Sequence, residues 1–282
     1  MNKRDGIEGT MKNNFRSLLE TVSVLAGDIY GKGWAEGNAG NISVRLKPEE
    51  MDFEPGGPEE TVPLGFAEPG IEGEHFLITC KGSYMRNISR APEEHTGVIR
   101  IERGGGAYSR VWGFRHSGYP TSEVFSHLRA HAARKSASGG ADRVVVHAHA
   151  LNIIALTVAL DLDSSSLTRL LWETHSECIV AFPGGVELLK WAVPGSDELS
   201  RMTAKALERR RFVVWPMHGI LATGPDLDSA FGSMDIIDKV AALYLASSFR
   251  GEPANRISGE QLKSVVDAFG LEPDRDVFET IR

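Results

Sequence analysis

The chain has 282 residues, 41% of them hydrophobic and 24% charged, with a formal net charge of −7. That balance excludes a disordered or collagen-like polypeptide, and a chain of this length can bury a core without disulfide staples. No basic block could neutralise a run of phosphates, no apolar run reaches the roughly 20 residues of a membrane span, and the two cysteines, Cys80 and Cys178, give no disulfide framework. Neither a nucleic-acid nor a membrane partner is expected, and a reducing, cytoplasmic setting is.

Residues 1–14, polar and without an apolar stretch, read as a frayed leader. Phe15, Leu18, Leu19, Val22, Leu25 and Ile29 then recur with a helical period, and Gly31 and Gly33 end that helix. A strand follows at 41–46. Residues 47–75, rich in Pro, Gly and Glu, show little periodicity and read as a surface excursion within one domain spanning 1–282. The stretch "HFLIT" is strand-like. Two short strands flank Gly104–Gly106, a hairpin signal. A helix over 121–136 begins at Thr121 and Ser122, and a buried strand covers 143–148. Helical patterns occupy about 150–160 and 164–173. "CIVAFPGG" reads as strand then turn. Residues 196–209 read as helix, "RFVVWP" and "GILATG" as strands, and 226–249 and 258–269 as helices. Helices and strands interleave throughout, which predicts a layered α/β domain.

The chemistry-bearing residues fall at the ends of these elements. On a strand, His147 and His149 share a face with Cβ atoms roughly 7 Å apart, too far for a mutual hydrogen bond and suited to two nitrogens on one metal. Nine histidines in this chain give about 0.3 such His-x-His pairs by chance, so the pair alone also fits a structural role. His218, in a Pro-Met-His-Gly turn between two strands, offers a third ligand or a loop hydrogen bond. Three neutral imidazoles leave the open fourth position of a catalytic zinc. Glu123, just after Thr121 and Ser122, reads either as part of a helix start or as a carboxylate beside an anion seat, since a helix N-terminus with hydroxyls favours negative charge. Asn38, Gly40 and Asn41 form a second loop that serves either as a turn or as a backbone cradle for an anion, and Lys81, Gly82 and Ser83 form a third.

Four segments in this order, "GWAEGNAGNISVRL", "PTSEVFSHL", "VVVHAHALNIIALT" and "WPMHGILATGPDLDSAFGSMDIIDKVA", resemble the zinc-dependent class II aldolase/adducin superfamily. The resemblance runs from about residue 15 to 270. The separation of Glu123 from His147 and the stretch "RLLWETHSECIVAFPGGVELLKWAVPGSDEL" are similar to the branch acting on L-rhamnulose 1-phosphate. The resemblance implies a three-layer α/β/α single domain around a central mixed, largely antiparallel sheet. It implies a cyclic homotetramer with active sites at subunit interfaces. The implied reaction is reversible cleavage of L-rhamnulose 1-phosphate to dihydroxyacetone phosphate and L-lactaldehyde through a metal-stabilised enediolate, a step in rhamnose metabolism. One Zn2+ per subunit would be held by His147, His149 and His218. Phosphate would be held by Asn38, Gly40, Asn41, Gly82, Thr121 and Ser122. Glu123 would be the catalytic carboxylate and Glu177 a second one near the substrate.

This chain departs from the family pattern at Gly37, where a charged residue is usual, at Lys81 and Ser83, and over 47–75. These departures bear on substrate identity more than on chemistry. Fuculose- or ribulose-phosphate aldolases, pentulose-phosphate 4-epimerases and thioribulose-phosphate dehydratases share the three histidines and the anion loops. A non-catalytic adducin-type module would lack the three histidines. A hydrolase using metal-activated water would retain the metal site but leave the phosphate loops without a role.

Overall fold

A computed structural model describes residues 14–54, 60–249, 251 and 253–281. The frayed-leader reading of residues 1–13, and the part of the predicted excursion at 55–59, lie outside the described residues. Asn14 itself opens the first helix.

In chain order the elements are α1 (Asn14–Gly31), β1 (Asn41–Arg45), β2 (Thr61–Pro63), β3 (His75–Thr79), α2 (Met85–Ile88), α3 (Pro92–His95), β4 (Thr96–Ile101), β5 (Ala107–Gly113), α4 (Val124–Ala137), β6 (Val144–Ala148) and α5 (Leu151–Ala159). They continue with α6 (Ser164–Thr174), α7 (Ser176–Ala181), β7 (Glu187–Leu188), α8 (Asp197–Leu207), β8 (Phe212–Trp215), β9 (Gly219–Gly224), α9 (Leu227–Ser247), α10 (Gly259–Phe269) and α11 (Arg275–Phe278). The strands form one sheet in the order β2-β5-β4-β3-β1-β6-β9-β8-β7. Every pairing is antiparallel except β7 with β8. The expected mixed, largely antiparallel sheet is therefore present.

Helices cover both faces, which makes three layers. Strand alternation decides which side chain enters which layer. Ile42, Val44, Val144 and Val146 point to one side, where they pack with Leu18, Val22 and Ile29 of α1 and with α5, α6 and α9. Val145 and Leu221 point to the other, under α8 and the middle of α4. A third apolar cluster joins Phe76, Ile78 and Ile99 to Leu128 of α4. The central strand β6 is buried at all five positions, as expected of a strand covered on both faces. No helix among the described residues is long and apolar enough to cross a membrane.

Three expectations need correction. The 47–75 segment is more than a surface excursion: β2 pairs with β5 at the sheet edge, and Leu64 and Ile71 are buried in the cluster under α4. "CIVAFPGG" begins as helix α7 rather than strand, because the His175 ring accepts from the Glu177 N–H as an N-cap and Cys178, Ile179 and Phe182 turn one helical face to the core. The helix after Pro120 starts later than expected, with Glu123 at its N-cap and Thr121 and Ser122 in the preceding turn.

Candidate active site

Polarity enters the sheet at one end of its central strands. Asn41 of β1 lies opposite His147 of β6, and His147 lies opposite Leu221 of β9. β6 ends at Ala148, so His149 stands just past it, fixed by a hydrogen bond from its N–H to the Trp34 carbonyl (2.9 Å). His218 comes from the turn between β8 and β9, where its N–H closes onto the Trp215 carbonyl at 3.1 Å. Met217 takes a left-handed backbone (φ 56°) in that turn, and its N–H donates to Thr157 Oγ1 of α5. The hairpin closes tightly over β6. A Cβ on Gly219 would lie 2.5 Å from the Ala148 carbonyl oxygen and 2.9 Å from His147 Cε1, so only glycine fits there.

The three rings meet, with centroids 5.2 Å (His147–His149), 4.9 Å (His147–His218) and 5.0 Å (His149–His218) apart. Their ligand nitrogens lie within 4.8 Å of one another. The indole of Trp215 packs against both His147 and His218 and is held by its own hydrogen bond to Thr203 Oγ1. Tautomers follow from the outer partners. His147 Nδ1–H donates to the Ile220 carbonyl at 3.0 Å, which leaves Nε2 with a free lone pair. His149 Nδ1–H donates to Glu36 Oε1 at 2.6 Å and likewise frees Nε2. Burial, reinforced by the neighbouring imidazoles, pushes His147 down to about 3 and His218 down to about 4, so both rings are uncharged near neutrality. Burial is the largest single influence on the Glu36 carboxyl and raises it, but the His149 hydrogen bond, a backbone hydrogen bond and the neighbouring His149 and His218 rings together hold the group below its ordinary value.

These residues fit a divalent cation. His147 Nε2 and His218 Nδ1 are buried without a hydrogen-bond partner among the described residues. A buried polar atom left unpaired costs about 1–3 kcal/mol, and a cation shared by the three rings removes that cost. With a cation bound, Glu36 would play the carboxylate–histidine part, fixing the His149 ring. Sequence reasoning gives Glu36 no role. The signal is present, since a carboxylate two residues before Asn38 has no place in a loop meant only for anions.

Beside the histidines lies a cavity of about 260 Å³ lined by Asn38, Gly40, Asn41, Lys81, Gly82, Thr121, Ser122 and Glu123, together with His147 and His149. All six expected phosphate-seat residues therefore come together, although they derive from three loops. The loops are tied to one another: Cys80 bridges to Pro120, the Lys81 N–H donates to the Tyr119 carbonyl, and the Thr121 N–H donates to the Thr79 carbonyl. Gly40 and Gly82 both have positive φ, 78° and 73°, which presents backbone to the cavity. At Gly40 a Cβ would also meet the His147 carbonyl at 3.2 Å.

Glu123 is 8% exposed, with Oε2 3.7 Å from His147 Nε2 and Oε1 3.8 Å from His218 Nε2. Asn41 differs from a simple phosphate ligand, because its amide donates to Glu123 Oε2 at 2.7 Å and its carbonyl faces His127. Glu177 is not brought to this cavity. It stands exposed in the first turn of α7.

The family model for the class II aldolase and adducin N-terminal domain matches residues 20–245. The chain is 39% identical over 263 residues to a rhamnulose-1-phosphate aldolase of Yersinia pseudotuberculosis, covering 91% of this chain and 94% of that protein. It is 37% identical over 251 residues to the protein of that name from Escherichia fergusonii, covering 87% and 91%. A sugar-phosphate aldolase from Thermotoga maritima superposes with a TM-score of 0.73 at 29% identity, over 84% of this chain and 97% of that one.

Proposed function

The chain belongs to the class II aldolase and adducin family and is an aldehyde-lyase by kind, and on that premise we propose that it cleaves L-rhamnulose 1-phosphate reversibly to dihydroxyacetone phosphate and L-lactaldehyde, with one zinc ion held by His147, His149 and His218. The observation that carries this reading is the clustering of three imidazoles, His147, His149 and His218, beside one carboxylate, Glu123, with His147, His149 and Glu123 at the wall of a polar cavity built from three loops. The names of the relatives, at 37–39% identity over most of the chain, support the choice of substrate.

Opening the C3–C4 bond of a ketose phosphate leaves an electron pair on C3, and a dication held by His147, His149 and His218 would supply the Lewis-acid stabilisation that this charge needs. Neutral ligands preserve the full charge of that ion, and imidazole donors suit zinc. Glu123 delivers the proton to C3 after cleavage and removes it in the condensation direction. Asn38, Gly40, Gly82, Thr121 and Ser122, with the remaining Asn41 N–H, hold the phosphate. Binding energy from that non-reacting end orients C3 toward Glu123. Lys81, exposed at the rim, adds positive charge beside the seat.

The assembly belongs to the same proposal. In a homotetramer with sites at subunit interfaces, exposed Glu177 reaches a substrate bound to a neighbouring copy. The two free, buried cysteines, Cys80 and Cys178, accord with a reducing cytoplasm.

A panel of ketose 1-phosphates, assayed for dihydroxyacetone phosphate with and without added zinc, tests the reading. The rhamnulose ester is expected to give the highest kcat/KM. A higher value for fuculose or ribulose 1-phosphate would reassign the substrate within the family. Turnover of none of them would overturn the aldolase reading.

A further inference from the structure

From Glu123 and Asn41 at the cavity wall, a line of polar side chains runs back through the layer between the sheet and α4. Asn41 is 5% exposed, Ser43 and His131 1%, and His127 is fully buried. Asn41 Nδ2 is 2.7 Å from Glu123 Oε2, and Asn41 Oδ1 contacts His127 Nε2. Ser43 Oγ is 2.6 Å from His127 Nδ1 and 2.7 Å from His131 Nε2. Alternation on β1 puts Asn41 and Ser43 on one face, and the i, i+4 spacing on α4 puts His127 and His131 above them. Apolar residues would pack here at no polar cost. Four buried polar groups are tolerable only when each is paired, so the line is a continuous network.

Its polarity is determined. Asn41 Nδ2 faces Glu123 and can only donate, and Asn41 Oδ1 faces His127 and can only accept. His127 must then carry its proton on Nε2. Burial pushes the His127 ring down to about 3, so Nδ1 is a lone pair and accepts from the Ser43 hydroxyl. The Ser43 oxygen in turn accepts from His131 Nε2–H. Every proton in the chain points toward Glu123.

Resting on the acid–base role given to Glu123 above, we infer that Asn41, His127, Ser43 and His131 are positioning residues that lock the carboxylate through its Oε2, leaving Oε1 as the oxygen that exchanges a proton with substrate. Asn41 occupies Oε2 with a donor that cannot accept a proton back. Among the described residues Oε1 has no such partner, and it lies on the His218 side. Without the His127 contact the Asn41 amide is free to rotate, and the carboxylate samples orientations in which Oε1 no longer faces C3. A general acid/base misplaced by about 1 Å can lose on the order of 10²-fold.

The test compares His127→Leu with His127→Gln, whose side-chain amide can still donate to Asn41 Oδ1. For L-rhamnulose 1-phosphate, His127→Leu is expected to lower kcat at least about tenfold, while KM and zinc content stay within about twofold and His127→Gln recovers most of the loss. A kcat unchanged in His127→Leu, a loss carried by KM, or His127→Gln as slow as His127→Leu would overturn the inference. Ser43→Ala, which breaks the next link, is the companion should His127→Leu fail to fold. A drop in kcat of about threefold or more at constant KM is expected, and an unchanged kcat would overturn that link.

The polarity has a readout that needs no turnover. In 15N-histidine-labelled protein at pH 7, His127 and His131 are expected as Nε2–H tautomers with slowly exchanging ring protons. The His127 signal is expected to shift in Asn41→Leu. A Nδ1–H tautomer at His127 would overturn the network even in an active enzyme. A wild-type protein that released no dihydroxyacetone phosphate would instead remove the role of Glu123, and the spectrum would still decide the geometry.

Discussion

Replacing Glu123 by glutamine is expected to lower turnover by about 10²–10⁴-fold while leaving the fold and the bound metal in place, the range typical of losing a positioned general acid/base. Three observations make the effect large and local. Glu123 is the carboxylate on the cavity wall, within 3.8 Å of two of the three clustered imidazoles, and it is held by a neutral donor rather than a salt bridge. Glutamine keeps the length of the side chain and still accepts from Asn41, so little packing is lost. What disappears is a group able to take a proton from C3 and return it. The check is kcat against zinc content and thermal midpoint in the same preparation. Near-normal turnover would remove Glu123 from the mechanism.

The second large effect concerns the ligands themselves. His149→Ala is expected to weaken zinc binding by more than the roughly 10–100-fold typical of an outer partner, whereas Glu36→Gln is expected to fall within that range. The order matters as much as the size. His149 would hold the ion directly, while Glu36 acts only through the His149 ring, by a 2.6 Å hydrogen bond to Nδ1. His149 is also the cleanest ligand to remove. Its side chain is 19% exposed, against 1% for His147, which is wedged against Trp215, so truncation at 149 opens no core cavity. Zinc affinities measured by competition with a chromophoric chelator separate the two variants. Equal affinities for His149→Ala and wild type would remove that imidazole from the metal site.

Much of the fold is legible in the amino-acid sequence alone. Period and punctuation locate α1, β1, β3, the β4–β5 hairpin, β6 and α9, because each is long enough or alternating enough for one layer to dictate its pattern. The His-x-His pair and the distant His218 are joined only by resemblance, since nothing local in a Pro-Met-His-Gly turn says which strand it closes against. Short apolar runs mislead for a physical reason. "CIVAF" has no period of its own, and its helical state comes from a His175 cap and from packing against neighbouring helices. The 47–75 segment misleads because Pro and Gly mask an edge strand and two buried side chains. Glu36, His127 and His131 escape sequence reasoning because they act through other side chains. His127 and His131 show only an i, i+4 spacing on a helix, and their meaning depends on Asn41 and Ser43 arriving from β1.

If three imidazoles bind a dication that cleavage of the sugar phosphate requires, the metal-free protein is inactive. Titrating Zn2+ into metal-free protein while following dihydroxyacetone phosphate release from L-rhamnulose 1-phosphate tests it most directly. The rate is expected to rise from background and to level off at one zinc per chain. Full turnover by the metal-free protein, unchanged as zinc is added, would contradict this requirement.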